Sequence, residues 1–488
     1  MSEEKVATYQ TRFSLQDETA LEAYSSLYCR LERKLFADLM AKKNLTALKK
    51  EYIASYRITA RQFNSLHFQL KGKIRLAKTL QKERAEELKL KIASLEKKLP
   101  RLKGKVLFRQ KNHLARVRRK LRLLQELNKE EKVSLCFGGK KLFREQFTQD
   151  HIEWKKKWQK RRDSSFFSVG SKDETGGNQS CTLGKKADKL FLRLRLPPAL
   201  ESTHGKYLLI EDLSFAYGEK NLLEALEENT QRNTLHKAKD PTFTERGKAL
   251  SYRFVQDDKG WRVFVSVAIK KQPLVSNKDL GVVGIDINVD HLAVVETDRF
   301  GNKVEAKTIP LALYGKTKDR ALALIGDAAA DIIEYAKTKG KPIALEHLDF
   351  QKKKRSLRTD TPKKARMLSS FSYNKIISFL QARAYREGIE VLEVSPAYTS
   401  MLGHIKYARS LGLSVHTAAA YVIGRRGLGF FEKLPFGQEV PLLTKNSTLL
   451  FKVPVRNPQA DRLEVLRKTF KEYKAAHVAH FRAAIPDP

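Results

Sequence analysis

The spacing of apolar residues changes along the chain, and each change marks an expected element. Residues 6–13 alternate as a short strand. Ser14 and Asp17 stand where a helix starts, and Leu21, Tyr24, Leu27, Leu31, Leu35 and Leu39 repeat at helical spacing through Met40. Residues 45–56 predict a second helix and residues 58–70 a third. From Ile74 the pattern lengthens and becomes charged, with Leu76, Leu80, Leu88, Ile92, Leu95 and Leu99 on one stripe of a Lys/Glu-rich helix. Residues 100–104 interrupt it. Val106, Leu114, Val117, Leu121, Leu124 and Leu127 then resume, which predicts an antiparallel helical hairpin.

Residues 133–147 (VSLCFGGKKLFREQF) alternate about Gly138-Gly139 and predict a small β-hairpin. Trp154 and Trp158 share a helix face among basic residues, either to stack on bases or to fill an amphipathic core. Residues 168–186 are the most loop-like. Residues 191–196, 207–213, 250–255 and 261–270 read as strands of an antiparallel β-domain, interrupted by a helix near 221–229. Beyond residue 276 the order changes to strand hairpin (281–302), helix (319–337), strand (343–345), helix (372–387) and strand (389–394), which is an α/β pattern. The last stretch, 461–481, is an amphipathic basic helix.

Charge sharpens this picture. The chain of 488 residues carries 95 Lys+Arg against 55 Asp+Glu, a formal charge of +40. Such an excess repels itself unless a polyanion neutralises it, and nucleic acid is the first candidate, bound over a long stretch. The second arm of the helical hairpin concentrates Arg109, Lys111, Arg116, Arg118, Arg119, Lys120 and Arg122, either as a solvated face or as a phosphate-tracking arm. Cys29, Cys136 and Cys181 are far apart, so neither a cysteine zinc site nor a disulfide framework is expected. The N-terminus lacks a signal pattern and no apolar run approaches ~20 residues, so a soluble, cytoplasmic protein is expected.

The candidate chemistry lies in two strands. Val282, Val283 and Ile285 deliver Asp286, and Ile343-Ala344-Leu345 deliver Glu346. A carboxylate in a buried strand is costly unless something pairs with it. Two acids at the ends of neighbouring strands can share a divalent metal and activate water against a phosphodiester, as in RNase H-like nucleases. Asp290 reads as a turn residue, and His347 projects to the face opposite Glu346. A basic loop follows Glu346, with Lys352, Lys353, Lys354, Arg355 and Arg358 beside the site.

The ordered segments GIDINVDHLAVVETDRFGN, IALEHLDF and SYNKIISFLQARAYREGIEVLEVSPAYTS resemble the split RuvC-like domain of TnpB proteins. These are transposon-encoded relatives of type V CRISPR effector nucleases. The resemblance covers the last two hundred or so residues by motif, and the upstream part by architecture. It implies an α+β multidomain chain: a first strand of a β wedge domain (1–15), a helical recognition domain (16–132), the remaining antiparallel β wedge domain (133–277), a RuvC-like nuclease domain (278–435) and a basic C-terminal segment (436–488). It further implies a guide RNA, a target DNA and Mg²⁺ (or Mn²⁺) held by three acidic residues, of which Asp286 matches the first and Glu346 the second.

Two departures from the family pattern stand out. Tyr398-Thr399-Ser400 runs on without the four cysteines of the family's zinc ribbon, so no zinc is expected. The segment expected to carry the third acid reads SVHTAAAYVIGRR, which places His416 at the acid's position, with Ser414 as the other offset. His416 either ligates the metal or acts as a general base, or else caps a helix in a site that no longer cuts. Arg425 and Arg426 on the same helix contact phosphate or cap the helix. The two functional expectations are a guided DNA endonuclease and a guided DNA binder with weakened cleavage.

Overall fold

The computed structural model describes residues 4–238, 247–347, 370–443, 448–455 and 461–483. The chain is a mixed α/β protein with several antiparallel sheets, and it divides into two compact units, Met1–Ile269 and Lys270–Pro488.

The first unit begins with β1 (Lys5–Phe13), α1 (Thr19–Met40) and α2 (Leu45–Tyr56). A single helix of 39 residues follows, α3 (Ala60–Lys98), where the sequence suggests two. Its start is fixed by a capping box in which Thr59 and Gln62 bond each other's backbone amides. Nothing between Leu70 and Ile74 interrupts the ladder, because Gly72 costs only about 1 kcal/mol in a helix. A turn over residues 99–101 reverses the chain into α4 (Gly104–Lys129), which completes the expected hairpin.

Next come α5 (Lys140–Glu145), α6 (His151–Arg162), β2 (Ser165–Ser168), β3 (Cys181–Lys186), β4 (Lys189–Arg195), α7 (Glu201–His204), β5 (Tyr207–Leu213), α8 (Glu219–Lys237), β6 (Leu250–Asp257) and β7 (Gly260–Ile269). The strands make two sheets, β1-β7-β6-β2 and β3-β4-β5. Alternate residues Leu250, Tyr252 and Phe254 of β6, with Trp261, Val263, Val265 and Val267 of β7, are buried against α1 and α3. Phe166 stacks between Tyr24 (4.3 Å) and Phe254 (4.5 Å).

Two expectations fail here. The hairpin over 133–147 does not form: Leu135 and Phe137 pack singly onto the core from an extended segment, and residues 140–145 are helical. The stretch read as loop contains β3, whose Gly184 lies beneath the Phe191 ring across the ladder. That aromatic fills the space the glycine leaves, so the strand has little hydrophobic signature of its own.

The second unit is built on a five-stranded sheet of order β10-β9-β8-β11-β12, made of β8 (Val283–Ile287), β9 (His291–Thr297), β10 (Lys303–Pro310), β11 (Ile343–Glu346) and β12 (Val391–Val394). β8, β9 and β10 are an antiparallel meander, whereas β11 runs parallel to both β8 and β12. The crossovers are α9 (Lys318–Thr338) and α10 (Ser370–Glu387), which bury Ile325, Ile332, Ile333, Ile376, Leu380 and Ala384 against one face. A short helix, α11 (Thr399–Gly403), continues into a π-turn over His404–Ala408.

The opposite face is covered by α12 (Val415–Leu428), whose Ser414 N-cap oxygen accepts from the Thr417 amide. Ala420, Tyr421 and Ile423 of this helix meet Ala293, Val295, Val282 and Ala344 of the sheet. Contact is close because Gly284 and Gly424 face one another without side chains. A third core joins α11, the π-turn, the strands β13 (Glu439–Leu443) and β14 (Thr448–Lys452), and α13 (Arg462–Ala483). All three cysteines are unpaired and lie in the first unit. Among the described residues no helix is long and apolar enough to cross a membrane.

Candidate active site

Strand register brings the two acids together. Ile343 is level with Val283, Ala344 with Gly284 and Leu345 with Ile285. Glu346 is therefore level with Asp286, on parallel strands about 4.8 Å apart. Alternation puts Ile285 and Leu345 in the core beneath α9 and α10, so Asp286 and Glu346 project toward the α12 face. The first turn of α12 lies at that same end of the strands and supplies His416, whose Nδ1 is 3.5 Å from Asp286 Oδ2.

Asp286 is 8% exposed and accepts a 3.0 Å hydrogen bond from Asn288 Nδ2. Thr399 Oγ1 donates to Glu346 Oε1 at 2.6 Å. The His416 imidazole is held above its ordinary pKa, first by its bond to the Asp286 carboxylate and against its own partial burial. Its ring stands edge-on to His291 at 4.9 Å, and His291 Nδ1 is 2.7 Å from Asp290 Oδ1. That bond lowers the Asp290 carboxyl, which nevertheless faces solvent at the turn. The Tyr373 phenol, at the start of α10, is pushed up to about 12 by burial and by the charges of Asp286 and Glu346. It remains a neutral donor at any physiological pH.

The donor chemistry fits a hard divalent cation: two carboxylates with an imidazole at the rim. An imidazole nitrogen is a softer donor than a carboxylate oxygen. Among the described residues, no three such groups already stand close enough to enclose an ion.

The other expected site residues divide into three sets. Arg109, Lys111, Arg116, Arg118, Arg119, Lys120 and Arg122 are distributed along α4, all of them exposed. Of these, Arg118 pairs with Glu96 across the hairpin at 2.6 Å. Lys352, Lys353, Lys354, Arg355 and Arg358 lie outside the described residues. Arg425 and Arg426 are engaged within the unit. Arg425 Nε donates to the buried Glu432 (2.7 Å) and Nη1 to the Gly301 carbonyl (2.6 Å), while Arg426 Nη2 donates to the Ala397 carbonyl (2.8 Å). These bonds fasten the end of α12, as the helix-capping alternative expects. His347 turns from the site to Glu393, 2.6 Å away. Trp154 is likewise structural, being buried with its Nε1 on the Leu142 carbonyl at 2.7 Å.

Sequence reasoning missed Asn288, His291, Tyr373 and Thr399. Asn288 sits two residues beyond Asp286, and Thr399 belongs to the quoted Tyr398-Thr399-Ser400 motif, so both carried a local signal. Tyr373 carried none, because its helix packs on the other face.

No family profile matches the chain. It is 27% identical over 160 residues to an uncharacterized protein of Saccharolobus solfataricus, covering 31% of this chain and 42% of that one. It is 28% identical over 156 residues to an uncharacterized protein of Aeropyrum pernix, again covering 42% of the relative. The matched part thus spans about two fifths of these relatives' length. Among solved structures, a Cas12f1–sgRNA–target DNA complex aligns with 86% of this chain and 99% of that chain, at 10% identity and TM-score 0.35. RuvC of T. thermophilus in complex with a Holliday junction substrate aligns with 30% of this chain and 90% of its own, at 14% identity and TM-score 0.22. Scores below 0.5 do not establish a shared fold.

Proposed function

We propose that the protein is an RNA-guided DNA endonuclease of the TnpB type, cutting guide-complementary DNA at an RNase H-like, RuvC-like centre. The observation that carries this reading is the pairing of Asp286 and Glu346 at one level of two parallel strands, with His416 beside them. Three antiparallel strands followed by two parallel ones, with helices on both faces, support an RNase H-like reading of the sheet. The charge of +40 suits a long polyanionic duplex, and base pairing with the guide would supply sequence choice while the protein grips backbone. On this reading residues 1–15 and 133–277 form the wedge, 16–132 the recognition domain, 278–435 the nuclease and 436–488 the C-terminal segment.

A bound divalent cation, Mn²⁺ or Mg²⁺, supplies Lewis acidity and lowers the pKa of attacking water. Asp286 and Glu346 are the residues to hold it. Asn288 and Thr399 fix the rotamers of the two carboxylates. His416, beside Asp286, would take the proton of the attacking water. Tyr373 offers a neutral donor to a phosphate oxygen.

A specific observation favours a second reading, a guided binder that cuts weakly. His416 rather than a carboxylate faces Asp286.

The test is purification with bound RNA, sequencing of that RNA, and cleavage of matching DNA in Mg²⁺ and in Mn²⁺. The nuclease reading expects cutting that Asp286→Asn and Glu346→Gln abolish while binding survives. Tight guided binding without cutting in either metal selects the second reading, and absence of any specific RNA overturns both.

A further inference from the structure

We propose that a cleft in the first unit takes a nucleotide turned out of a nucleic-acid strand, base on an apolar floor and phosphate on a basic rim. The cleft encloses about 540 Å³ between α1, α3, α4, the segment before α5 and the end of α6. That lies within the range of about 300–1,000 Å³ common for small-ligand sites. Leu76 and Leu80 of α3, Leu124 of α4 and Phe137 supply its apolar lining. Leu76 is 60% exposed and Leu80 53% exposed, so the apolar floor stands uncovered.

The rim is cationic: Lys73, Arg84, Lys140, Arg161 and Arg162 line it, against a single carboxylate, Glu32. Glu32 is already paired with Lys73 at 2.7 Å, and Arg84 with Glu87 on its own helix at 2.8 Å. Lys140 and Arg161 are exposed. Arg162 lies over the Trp158 ring at 5.7 Å, and its buried Nε has no hydrogen-bond partner.

The combination selects the occupant. An inorganic anion has no use for uncovered leucines, and an apolar helix has no use for five cations. A nucleotide uses both, because every base has a face that packs on apolar and aromatic surface whatever its sequence. The proposal rests on the nucleic-acid reading and is independent of whether the chain cuts.

The chain carries its own reporter. Cys136 lines this cleft and is half-buried, whereas Cys29 and Cys181 are buried. The full chain, in EDTA, is alkylated with N-ethylmaleimide, and the rate at Cys136 is followed by peptide mass spectrometry. It is measured alone, with a single-stranded RNA or DNA oligonucleotide, and with the same strands carrying abasic positions, binding being verified by gel shift. RNA, DNA or both should slow alkylation about tenfold, and which of them does so identifies the source. Abasic strands should bind without protecting, and Leu76→Asp or Leu80→Asp, both at exposed positions, should bind strands without protection. Equal protection by abasic strands, or binding without protection by any strand, overturns the cleft while leaving the nucleic-acid reading intact. Failure of every strand to bind overturns both.

Discussion

Replacing Gly284 with alanine measures how closely α12 must approach the sheet. A Cβ at Gly284 would stand 2.1 Å from the Ala420 carbonyl oxygen and 2.4 Å from the Gly424 amide nitrogen. Both are backbone atoms, so no rotamer change relieves the overlap. Ordinary contact begins near 3.4 Å, so the helix must withdraw by about 1 Å. That disturbs Ala418, Ala419, Ala420, Val422 and Ile423, all fully buried. Overpacking of this kind costs about 1–3 kcal/mol, and the backbone clash puts the cost at the upper end. At about 3 kcal/mol the melting temperature of this unit should fall by roughly 6–12 °C. His416 rides on the same helix, and a displacement of about 1 Å at a reacting group costs about a hundredfold in rate. Gly424→Ala is the control: its Cβ would meet Thr297 Cγ2 at 3.2 Å and the Gly284 nitrogen at 3.4 Å, and alanine favours the helix by about 1 kcal/mol. It should be close to neutral. Calorimetry and guided cleavage, measured on both variants, decide the matter. Gly284→Ala with an unchanged melting temperature, or Gly424→Ala equally damaging, would refute the reasoning.

Glu296 is 3% exposed, and Lys341 Nζ lies 2.5 Å from it with Tyr335 Oη donating at 2.6 Å. Lys341→Met leaves that carboxylate only the half-exposed Lys339, 3.3 Å away, and should cost less than the about 3–5 kcal/mol of a buried charge left wholly unpaired, read from urea midpoints at pH 7. Burial alone would raise the Glu296 pKa, but the bonds from Lys341 and Tyr335 outweigh it and hold the carboxyl low. Because the folded value is the lower one, this stabilisation is full above the unfolded pKa of about 4.3 and disappears as pH falls through the folded value. The gap between wild type and Lys341→Met should therefore narrow in acid, and a constant gap would count against the assignment. Thr399→Val frees the Glu346 rotamer and should lower kcat for cleavage with little change in KM or folding; an unchanged kcat would remove Thr399 from the site. Neutralising Arg109, Lys111, Arg119 and Lys120 together should make the salt dependence of nucleic-acid binding shallower, by about 0.7–0.9 in slope for each phosphate left without a cation. An unaltered slope would show that α4 tracks no backbone.

Where the sequence was legible, a local pattern matched a local cause. The two strands that end in Asp286 and Glu346 announced themselves because an apolar run rarely closes on an acid unless that acid is paired or holds a cation. The helical hairpin was legible for the same reason, its leucine stripe broken once at Pro100. Residues 133–147 misled because Leu135 and Phe137 alternate as a strand would, yet each packs singly against the core and neither joins a ladder. β3 was invisible because its glycine is complemented by an aromatic from the next strand. Arg425 and Arg426 stayed open between phosphate contact and helix capping because their acceptors, Glu432 and the Gly301 and Ala397 carbonyls, are chosen by tertiary folding. Tyr373 reaches the carboxylates only through the packing of a crossover helix.

The strand order also sets a timetable for synthesis. β8, β9 and β10 are joined by short turns and can pair as soon as they emerge. β11 must then arrive from beyond α9 and lie beside β8, and β12 from beyond α10 to lie beside β11, before Glu346 has a fixed place next to Asp286. His416 follows later still, on a helix that docks only onto the finished sheet. On the proposed reading, a growing chain is already a basic polymer able to hold nucleic acid well before it has a competent centre. On that reading, chains ending ahead of α12 would hold nucleic acid without a complete centre.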